Sequence, residues 1–243
     1  MCGIIGYKWD GTEPKAMRSF IERLLVRSQM RGRHATGIAW AENGHLNATK
    51  DSVPADEFIL TPEWNQLMTD PPASAILHTR YSTSGDWHDN NNNQPLIVGG
   101  LAIAHNGLVS MATKAEFQAK YNVRTTTEND SEIIAQKIVG NYSGDWEEAI
   151  ETGLAEVNAV EPAIYALCLL TREGELHARR DNVRPLYAFK VPKLGLEGYC
   201  STRDIFLRAA KDAGILGRNE NEAKISEGMK KSRECKATAL LTV

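Results

Sequence analysis

The chain opens with Met1-Cys2-Gly3-Ile4-Ile5-Gly6-Tyr7, an apolar run with a cysteine directly behind the first methionine. Removal of Met1, which is favoured when the second residue is small, would leave the Cys2 thiol beside its own free α-amine. An unperturbed α-amine has a pKa of about 7.7–8.0 and a cysteine thiol one of about 8.5, so this amine can act as a base near neutral pH. The run predicts a first strand over residues 3–9. Cys2 is a candidate N-terminal nucleophile, and a cysteine that stands at position 2 by accident is the alternative.

The composition is that of an ordinary globular chain of 243 residues, with 42% hydrophobic and 24% charged residues. The net charge of −3 argues against a strongly basic surface, so no nucleic-acid partner is predicted. No stretch approaches the roughly 20 apolar residues of a membrane span, and the first residues do not read as a signal peptide. We therefore expect a cytoplasmic protein with no membrane partner.

The cysteine positions argue against a metal site or a disulfide. Cysteines stand at positions 2, 168, 200 and 235, and no two of them are closely spaced. Tetrahedral zinc sites normally use close pairs, and disulfides are rare in the cytosol. Residues 32–37 have the spacing of a phosphate-binding loop, but Ile38 and Ala39 follow where Lys and Ser or Thr are needed. No metal and no cofactor is predicted.

Hydrophobic periodicity predicts runs of strands interrupted by blocks of helix, without a linker or an internal repeat. A helix is expected through Met17–Leu25, another after an Asn129 cap with Glu132 as its partner, a third after Asp145 and a fourth over 203–213. Strands are expected at 3–9, 37–42, 45–51, 74–82, 96–105, 162–171, 174–181, 186–191, 197–202 and 237–243. This order favours antiparallel sheets covered by helices.

Seven short motifs, in one order from residue 2 to about residue 204, carry a resemblance. The sequence resembles the class II (N-terminal nucleophile) glutamine amidotransferases, and its last motif is similar to that of the amidophosphoribosyltransferase type, shortened by two residues. The seven are Cys2-Gly3-Ile4-Ile5-Gly6, Arg31–Ile38, His78-Thr79-Arg80-Tyr81-Ser82-Thr83, Asn92-Asn93-Gln94-Pro95, His105-Asn106-Gly107, Asn129-Asp130-Ser131-Glu132 and Arg180–Leu186.

The resemblance implies an α+β fold, a four-layer αββα Ntn-hydrolase sandwich of two antiparallel sheets, with residues 1–243 as a single type-2 amidotransferase domain. It implies hydrolysis of L-glutamine to glutamate and ammonia through a Cys2 thioester. The family normally fuses this domain to a synthase that uses the ammonia. Because about 40 residues follow the last motif, we expect the ammonia-accepting synthase to be a separate subunit.

The resemblance also assigns the site residues. Cys2 is the nucleophile, and Asn106 with the Gly107 N–H forms the oxyanion hole. Glycine is expected at position 107 because a side chain would obstruct the approach of the backbone to the substrate. Arg80 would bind the α-carboxylate in two parallel hydrogen bonds, and Asp130 would pair with the α-ammonium. Arg31 is a further candidate. The family places this arginine near the nucleophile, but a solvated loop residue is an equally good interpretation.

Structural interpretations of these residues stay open. Arg80 could form a surface ion pair, Asp130 could only favour a helix N-terminus, and Asn106-Gly107 could be a turn. His78 and His105 are interpreted as structural histidines. Two other functions also remain: an Ntn amidohydrolase acting on another amide, and a non-catalytic regulatory module that binds glutamine.

Two positions depart from the family pattern. His34 stands where an Asp is usual, and Met30 stands where a His is common. These departures affect the expected hydrogen bonding around the loop and raise the question of whether the site is organised without a partner.

Overall fold

The computed structural model describes residues 1–216 and 240–242. The strands are β1 Gly3–Trp9, β2 Ala35–Glu42, β3 His45–Asp51, β4 Ser74–Arg80, β5 Leu96–Val98, β6 Leu101–Leu108, β7 Ile164–Thr171, β8 Leu176–Arg180, β9 Tyr187–Val191, β10 Leu196–Cys200 and β11 Leu240–Thr242. The α-helices are α1 Pro14–Ser28, α2 Ala55–Phe58, α3 Pro62–Leu67, α4 Lys114–Tyr121, α5 Ser131–Gly140, α6 Trp146–Val160 and α7 Arg203–Asp212.

The strands form two sheets. The first has the order β11-β9-β10-β1-β4-β2-β3 and the second the order β5-β6-β7-β8. Neighbouring strands pair antiparallel, except that β11 at the edge pairs parallel with β9. The predicted α+β class with two antiparallel sheets is confirmed, with this one parallel edge.

Three apolar clusters separate four layers. The first cluster packs α1, α2, α3 and α7 on one face of the first sheet. The second lies between the two sheets and contains small side chains, among them Ala39, Ala102, Ala104 and Ala166. The third packs α4, α5 and α6 on the outer face of the second sheet. This is the predicted αββα sandwich.

The two-residue period of the strands determines which side chains face the space between the sheets. In β1, Ile4 belongs to the inter-sheet cluster, whereas Ile5 faces the helices. Counting back by two from Ile4 places Cys2 on the inter-sheet side. In β4, Arg80 stands four residues after Ile76, and in β6, Asn106 stands two residues after Ala104. Ile76 and Ala104 belong to the inter-sheet cluster, so Arg80 and Asn106 lie on the inter-sheet side as well. The fold thus brings three of the predicted site residues to one end of the sandwich.

One strand prediction was wrong. Residues 96–105 form two antiparallel strands, β5 and β6, that turn at Gly99 and Gly100. Gly99 has a φ of 54°, a conformation that glycine adopts without the steric cost that other residues meet. Both arms of this hairpin are apolar, so the sequence reads as one continuous strand.

The predicted capping pair of Asn129 and Glu132 was also wrong. Asn129 Oδ1 accepts a hydrogen bond from the Ser131 N–H at 3.0 Å, which is a local turn just before α5. The Glu132 carboxylate instead accepts the backbone N–H groups of Thr126 and Thr127, each at 2.8 Å. The short helices α2, α3 and α4 were not predicted. Of the predicted strand 237–243, residues 237–239 and 243 lie outside the described residues, as does Cys235.

His78 in β4 generates a prediction about stability. It is 1% exposed, its Nε2 lies 3.2 Å from the His105 carbonyl oxygen, and burial lowers its pKa to about 3. Between that value and about 6.5 the unfolded chain binds the proton that the folded chain excludes, so stability falls as the pH falls. We expect this histidine to account for about 2 kcal/mol of the stability lost between pH 7 and pH 5.

Urea unfolding of wild type and His78→Gln at both pH values measures this contribution. The glutamine variant keeps a donor for the His105 carbonyl but cannot titrate, so its loss of stability on acidification should be smaller by about that amount. Equal pH dependence in the two chains would contradict the assignment.

Candidate active site

Cys2 and Asn106 meet across the two sheets. The Cys2 backbone N–H donates a hydrogen bond of 2.9 Å to Asn106 Oδ1. Because the nitrogen of Cys2 is a donor, the Asn106 atom that faces it is the oxygen, and the side-chain NH2 points elsewhere. Asn106 is 1% exposed, and its Nδ2 has no hydrogen-bond partner in the described part of the chain. A buried amide donor is therefore held in a fixed orientation beside the cysteine and left free.

The Cys2 thiol lies against the backbone at the end of β4. The Tyr81 N–H donates to Cys2 Sγ at 3.4 Å, and the Tyr81 carbonyl oxygen lies 3.5 Å from the sulfur. Burial raises the pKa of the Cys2 thiol, while the Tyr81 N–H and the charges of Arg80 and Arg31 act in the opposite direction. The raised pKa means that the thiol keeps its proton near neutral pH, so nucleophilic attack requires a base.

Arg31 lies beside Cys2 rather than in a solvated loop. Its Nε donates to the Cys2 carbonyl oxygen at 2.8 Å, and Met1 Sδ lies 3.7 Å from Arg31 Nη2 and 3.2 Å from Arg184 Nη1. Burial lowers the pKa of the Met1 α-amine, and the positive charges of Arg31 and Arg184 lower it further. Met1 itself is 58% exposed.

Gly107 follows Asn106 inside β6, so the interpretation of this pair as a turn was wrong. A Cβ at Gly107 would overlap the carbonyl oxygen of Ile164 in β7 and the Nε2 atom of His105. The structure therefore gives a reason for glycine that differs from the predicted one: the close approach of the neighbouring strand excludes a side chain, whether or not a substrate is present.

Arg80 ends β4 and is 2% exposed, so the interpretation as a surface ion-pair residue was wrong. Its guanidinium group donates to Asn93 Oδ1 at 2.6 Å, to Ser82 Oγ at 3.1 Å, to the Gly85 carbonyl oxygen at 3.1 Å, and to the Ser84 carbonyl oxygen. These acceptors are neutral, so a buried positive charge is solvated by dipoles at this end of the sandwich.

Asp130 precedes α5, is 4% exposed, and makes no side-chain hydrogen bond that would cap this helix. Its Oδ2 accepts the backbone N–H groups of Val109 at 2.7 Å and Ser110 at 3.1 Å, just beyond β6. Its Oδ1 accepts the hydroxyl of Ser84 at 2.9 Å. Through Ser84 the Asp130 carboxylate is linked to Arg80.

The sequence interpretation missed a polar network that supports these residues. The Ser131 hydroxyl lies 3.0 Å from Gln94 Nε2 and 2.8 Å from His105 Nδ1, and the His105 N–H donates to Gln94 Oε1 at 2.6 Å. Ser131 follows Asp130 and His105 precedes Asn106, so the network fixes the two predicted site residues relative to each other. The signal that could have predicted these contacts is the presence of Asn93, Gln94 and Ser131 in the sequence motifs.

His34 and Met30, which depart from the family pattern, have different surroundings. His34 Nδ1 accepts the Ser82 N–H at 3.0 Å, and its ring stacks between Tyr81 and Trp87 with centroid distances of 5.1 and 5.2 Å. His34 thus holds the backbone that follows Arg80. Met30 is 66% exposed.

Among the residues that the structure describes, no group of three or more His, Cys, Asp or Glu side chains is arranged to hold a metal ion. Within the same described residues, none of the helices has both the length and the apolar character needed to cross a membrane.

Comparisons with known proteins give one consistent result, although no protein-family model matches the chain. A glutamine–fructose-6-phosphate aminotransferase (isomerizing) of Gluconobacter oxydans is 32% identical over 178 residues, which is 72% of this chain and 28% of the relative. An amidophosphoribosyltransferase of Synechococcus elongatus is 31% identical over 194 residues, which is 76% of this chain and 37% of the relative.

A solved structure, the glutamine phosphoribosylpyrophosphate amidotransferase from B. subtilis complexed with ADP and GMP, shares the fold. Its TM-score is 0.64 at 23% identity, and the match covers 86% of this chain and 44% of that chain. The chain thus spans less than half the length of these relatives. The solved structure shows the shared fold, whereas the sequence relatives place the chain in the class II (N-terminal nucleophile) glutamine amidotransferases, and the chain belongs to this family.

Proposed function

We propose that residues 1–243 act as one glutaminase domain that hydrolyses L-glutamine to glutamate and ammonia through a thioester on Cys2. The observation that carries this proposal is the free Asn106 Nδ2 donor, buried and held beside the cysteine by the hydrogen bond between Cys2 N and Asn106 Oδ1. A buried donor without a partner costs free energy, and an oxyanion that forms beside Cys2 would supply the missing acceptor.

In this proposal the α-amine of Cys2 becomes the base once Met1 has been removed. The amine takes the proton of the thiol, whose pKa is raised, and the sulfur attacks the side-chain amide carbon of glutamine. The carbonyl oxygen becomes an oxyanion that accepts hydrogen bonds from Asn106 Nδ2 and the Gly107 N–H. The C–N bond then breaks, ammonia leaves with the proton from the Cys2 amine, and water hydrolyses the thioester to release glutamate.

The remaining site residues have complementary roles. Arg80 binds the α-carboxylate of glutamine and Asp130 binds the α-ammonium, which distinguishes this substrate from an amide without an amino-acid head group. Both side chains are almost fully buried, which strengthens their interaction with substrate charges. Arg31 is a positioning residue, since it holds the Cys2 carbonyl oxygen at 2.8 Å and adds positive charge near the thiolate.

We further propose that the ammonia passes to a synthase, in the form of a separate subunit. Three exposed apolar side chains support a contact surface at this end of the sandwich: Met30, Tyr81 and Val183, which are 66%, 51% and 64% exposed. Each of them is next in sequence to an arginine of this end: Met30 to Arg31, Tyr81 to Arg80 and Val183 to Arg184. Purification of the tagged chain from its host, followed by identification of co-purifying proteins, tests this proposal; a chain that purifies without a synthase would contradict it.

The first test of the chemistry combines intact mass with the release of glutamate from glutamine. The wild-type protein should have lost Met1 and should release glutamate, whereas Cys2→Ala should release none above background. Retention of Met1 in an active enzyme, or equal turnover by both chains, would contradict the N-terminal cysteine mechanism. Glutamine binding without any release of glutamate would instead identify a non-catalytic regulatory module.

Asn106 can be tested with two variants that differ in what they remove. Asn106→Ala loses both the contact to Cys2 N and the free donor, and Asn106→Asp keeps the acceptor oxygen but has no amide donor. Both should lower kcat by about 10²–10³ with little change in glutamine binding, because a donor to an oxyanion acts mainly in the transition state. Normal turnover by Asn106→Asp would remove this amide from the oxyanion hole.

The head-group assignment predicts a specificity. Glutaramate, which has the amide and the carboxylate but no α-ammonium, should be hydrolysed with a kcat/KM lower by about 10–100-fold, the effect of losing one charge-assisted hydrogen bond. Asp130→Asn should show much less discrimination between the two substrates, since it lacks the carboxylate. Equal rates with both substrates in the wild-type enzyme would favour an amidohydrolase for another amide.

A further inference from the structure

Ser84 connects the two residues that are proposed to bind the substrate head group. Its carbonyl oxygen accepts a hydrogen bond from Arg80 Nη2, and its hydroxyl donates to Asp130 Oδ1 at 2.9 Å. An acceptor thus faces the guanidinium group and a donor faces the carboxylate. The α-carboxylate of an amino acid would likewise offer acceptors to Arg80, and its α-ammonium would offer donors to Asp130.

We propose that Ser84 stands in for the amino-acid head group between Arg80 and Asp130, so that glutamine must displace it and Ser84 thereby sets the affinity for glutamine. This inference rests on the proposed function, because it takes Arg80 and Asp130 as the ligands of the head group.

The donors of Arg80 show why displacement is required. Its Nη2 carries two hydrogens and already faces three acceptors, namely Ser82 Oγ and the carbonyl oxygens of Ser84 and Gly85. Its Nη1 donates to Asn93 Oδ1 at 2.6 Å. A carboxylate that binds in two parallel hydrogen bonds needs free N–H groups on one edge of the guanidinium plane. The segment 82–85 therefore has to release Arg80 before a substrate carboxylate can bind it.

The two oxygens of Asp130 differ in whether their hydrogen-bond partners can be replaced by a substrate. Oδ2 is held by the backbone N–H groups of Val109 and Ser110, which belong to the fold and cannot be exchanged for substrate. Oδ1 accepts the Ser84 hydroxyl, and this is the oxygen that an ammonium group could reach if the serine left. Exchange keeps the buried carboxylate satisfied at every stage, since one donor replaces another.

The exchange favours glutamine because charged groups replace neutral ones. Each contact of Ser84 has one charged partner, whereas a carboxylate on Arg80 and an ammonium on Asp130 would make both partners charged and add the attraction between opposite charges. The gain is reduced by the free energy needed to move Ser84 away, and the apparent Kd rises accordingly. Removal of the Ser84 hydroxyl should therefore tighten the binding of glutamine.

The opposite role makes the opposite prediction. If Ser84 only held Asp130 in place for the substrate, loss of its hydroxyl would weaken binding. The direction of the change in affinity thus separates a residue that competes with the substrate from one that supports its ligand.

Calorimetric titration of glutamine into the Cys2→Ala chain, in which turnover is blocked, measures the affinity directly. Ser84→Ala in this background should lower the Kd about 3–10-fold, the range for a lost hydroxyl contact to a charged group. Ser84→Thr, which keeps the hydroxyl, should restore the original Kd. Thr83→Ala is the matched control, since Thr83 is an exposed neighbour in the same segment, and it should not change the Kd.

In the chain that keeps Cys2, Ser84→Ala should lower the KM for glutamine by the same factor, with the effect confined to KM. An unchanged or raised Kd and KM for Ser84→Ala would overturn the inference while the wild-type enzyme still hydrolyses glutamine. Absence of both glutamine binding and glutamate release in the wild-type chain would overturn the proposed function and the inference with it. Thermal unfolding of each variant shows that it is folded before its affinity is compared.

Discussion

The hydrogen bond between the Cys2 N–H and Asn106 Oδ1 joins the two sheets at the end where the site lies. It requires the layer between the sheets to be thin at this end, since it joins a residue before β1 to a residue of β6. That layer contains mainly small side chains, and Gly6 adds to the effect, because a Cβ there would lie 2.9 Å from Leu176 and 3.1 Å from the sulfur of Cys168. Larger side chains in this layer would move the sheets apart and separate the cysteine from the amide.

Burial of charge is the second constraint on this end of the sandwich. Arg80 and Asp130 are 2% and 4% exposed, and moving such groups out of water costs several kcal/mol for each ion unless hydrogen bonds replace the lost solvation. The protein meets this cost with neutral dipoles: side-chain and carbonyl oxygens around Arg80, and backbone N–H groups around Asp130. In the proposed function, a charged head group replaces some of these neutral dipoles.

Local periodicity predicted antiparallel sheets covered by helices, and the resemblance carried by the motifs implied the four layers. The resemblance also named Cys2, Arg80 and Asn106 as site residues, and in the structure they lie at one end because each continues the inter-sheet side of its strand. It did not predict the contacts that depend on distant parts of the chain. Glu132 was expected to cap α5, but it binds two N–H groups six and five residues earlier in the chain. Gly107 was explained by the substrate, whereas β7 already excludes a side chain there.

The state of the N-terminus connects this geometry to the proposed chemistry. With Met1 attached, the Cys2 nitrogen belongs to a peptide bond, and its lone pair is delocalised and cannot accept a proton. Removal of Met1 would turn the same atom into an amine without moving it, because the contacts of Cys2 to Asn106 and Arg31 involve the nitrogen and the carbonyl oxygen of Cys2 itself. The fold therefore already sets the position of the Cys2 nitrogen, and in the proposed mechanism the removal of Met1 turns that nitrogen into the base.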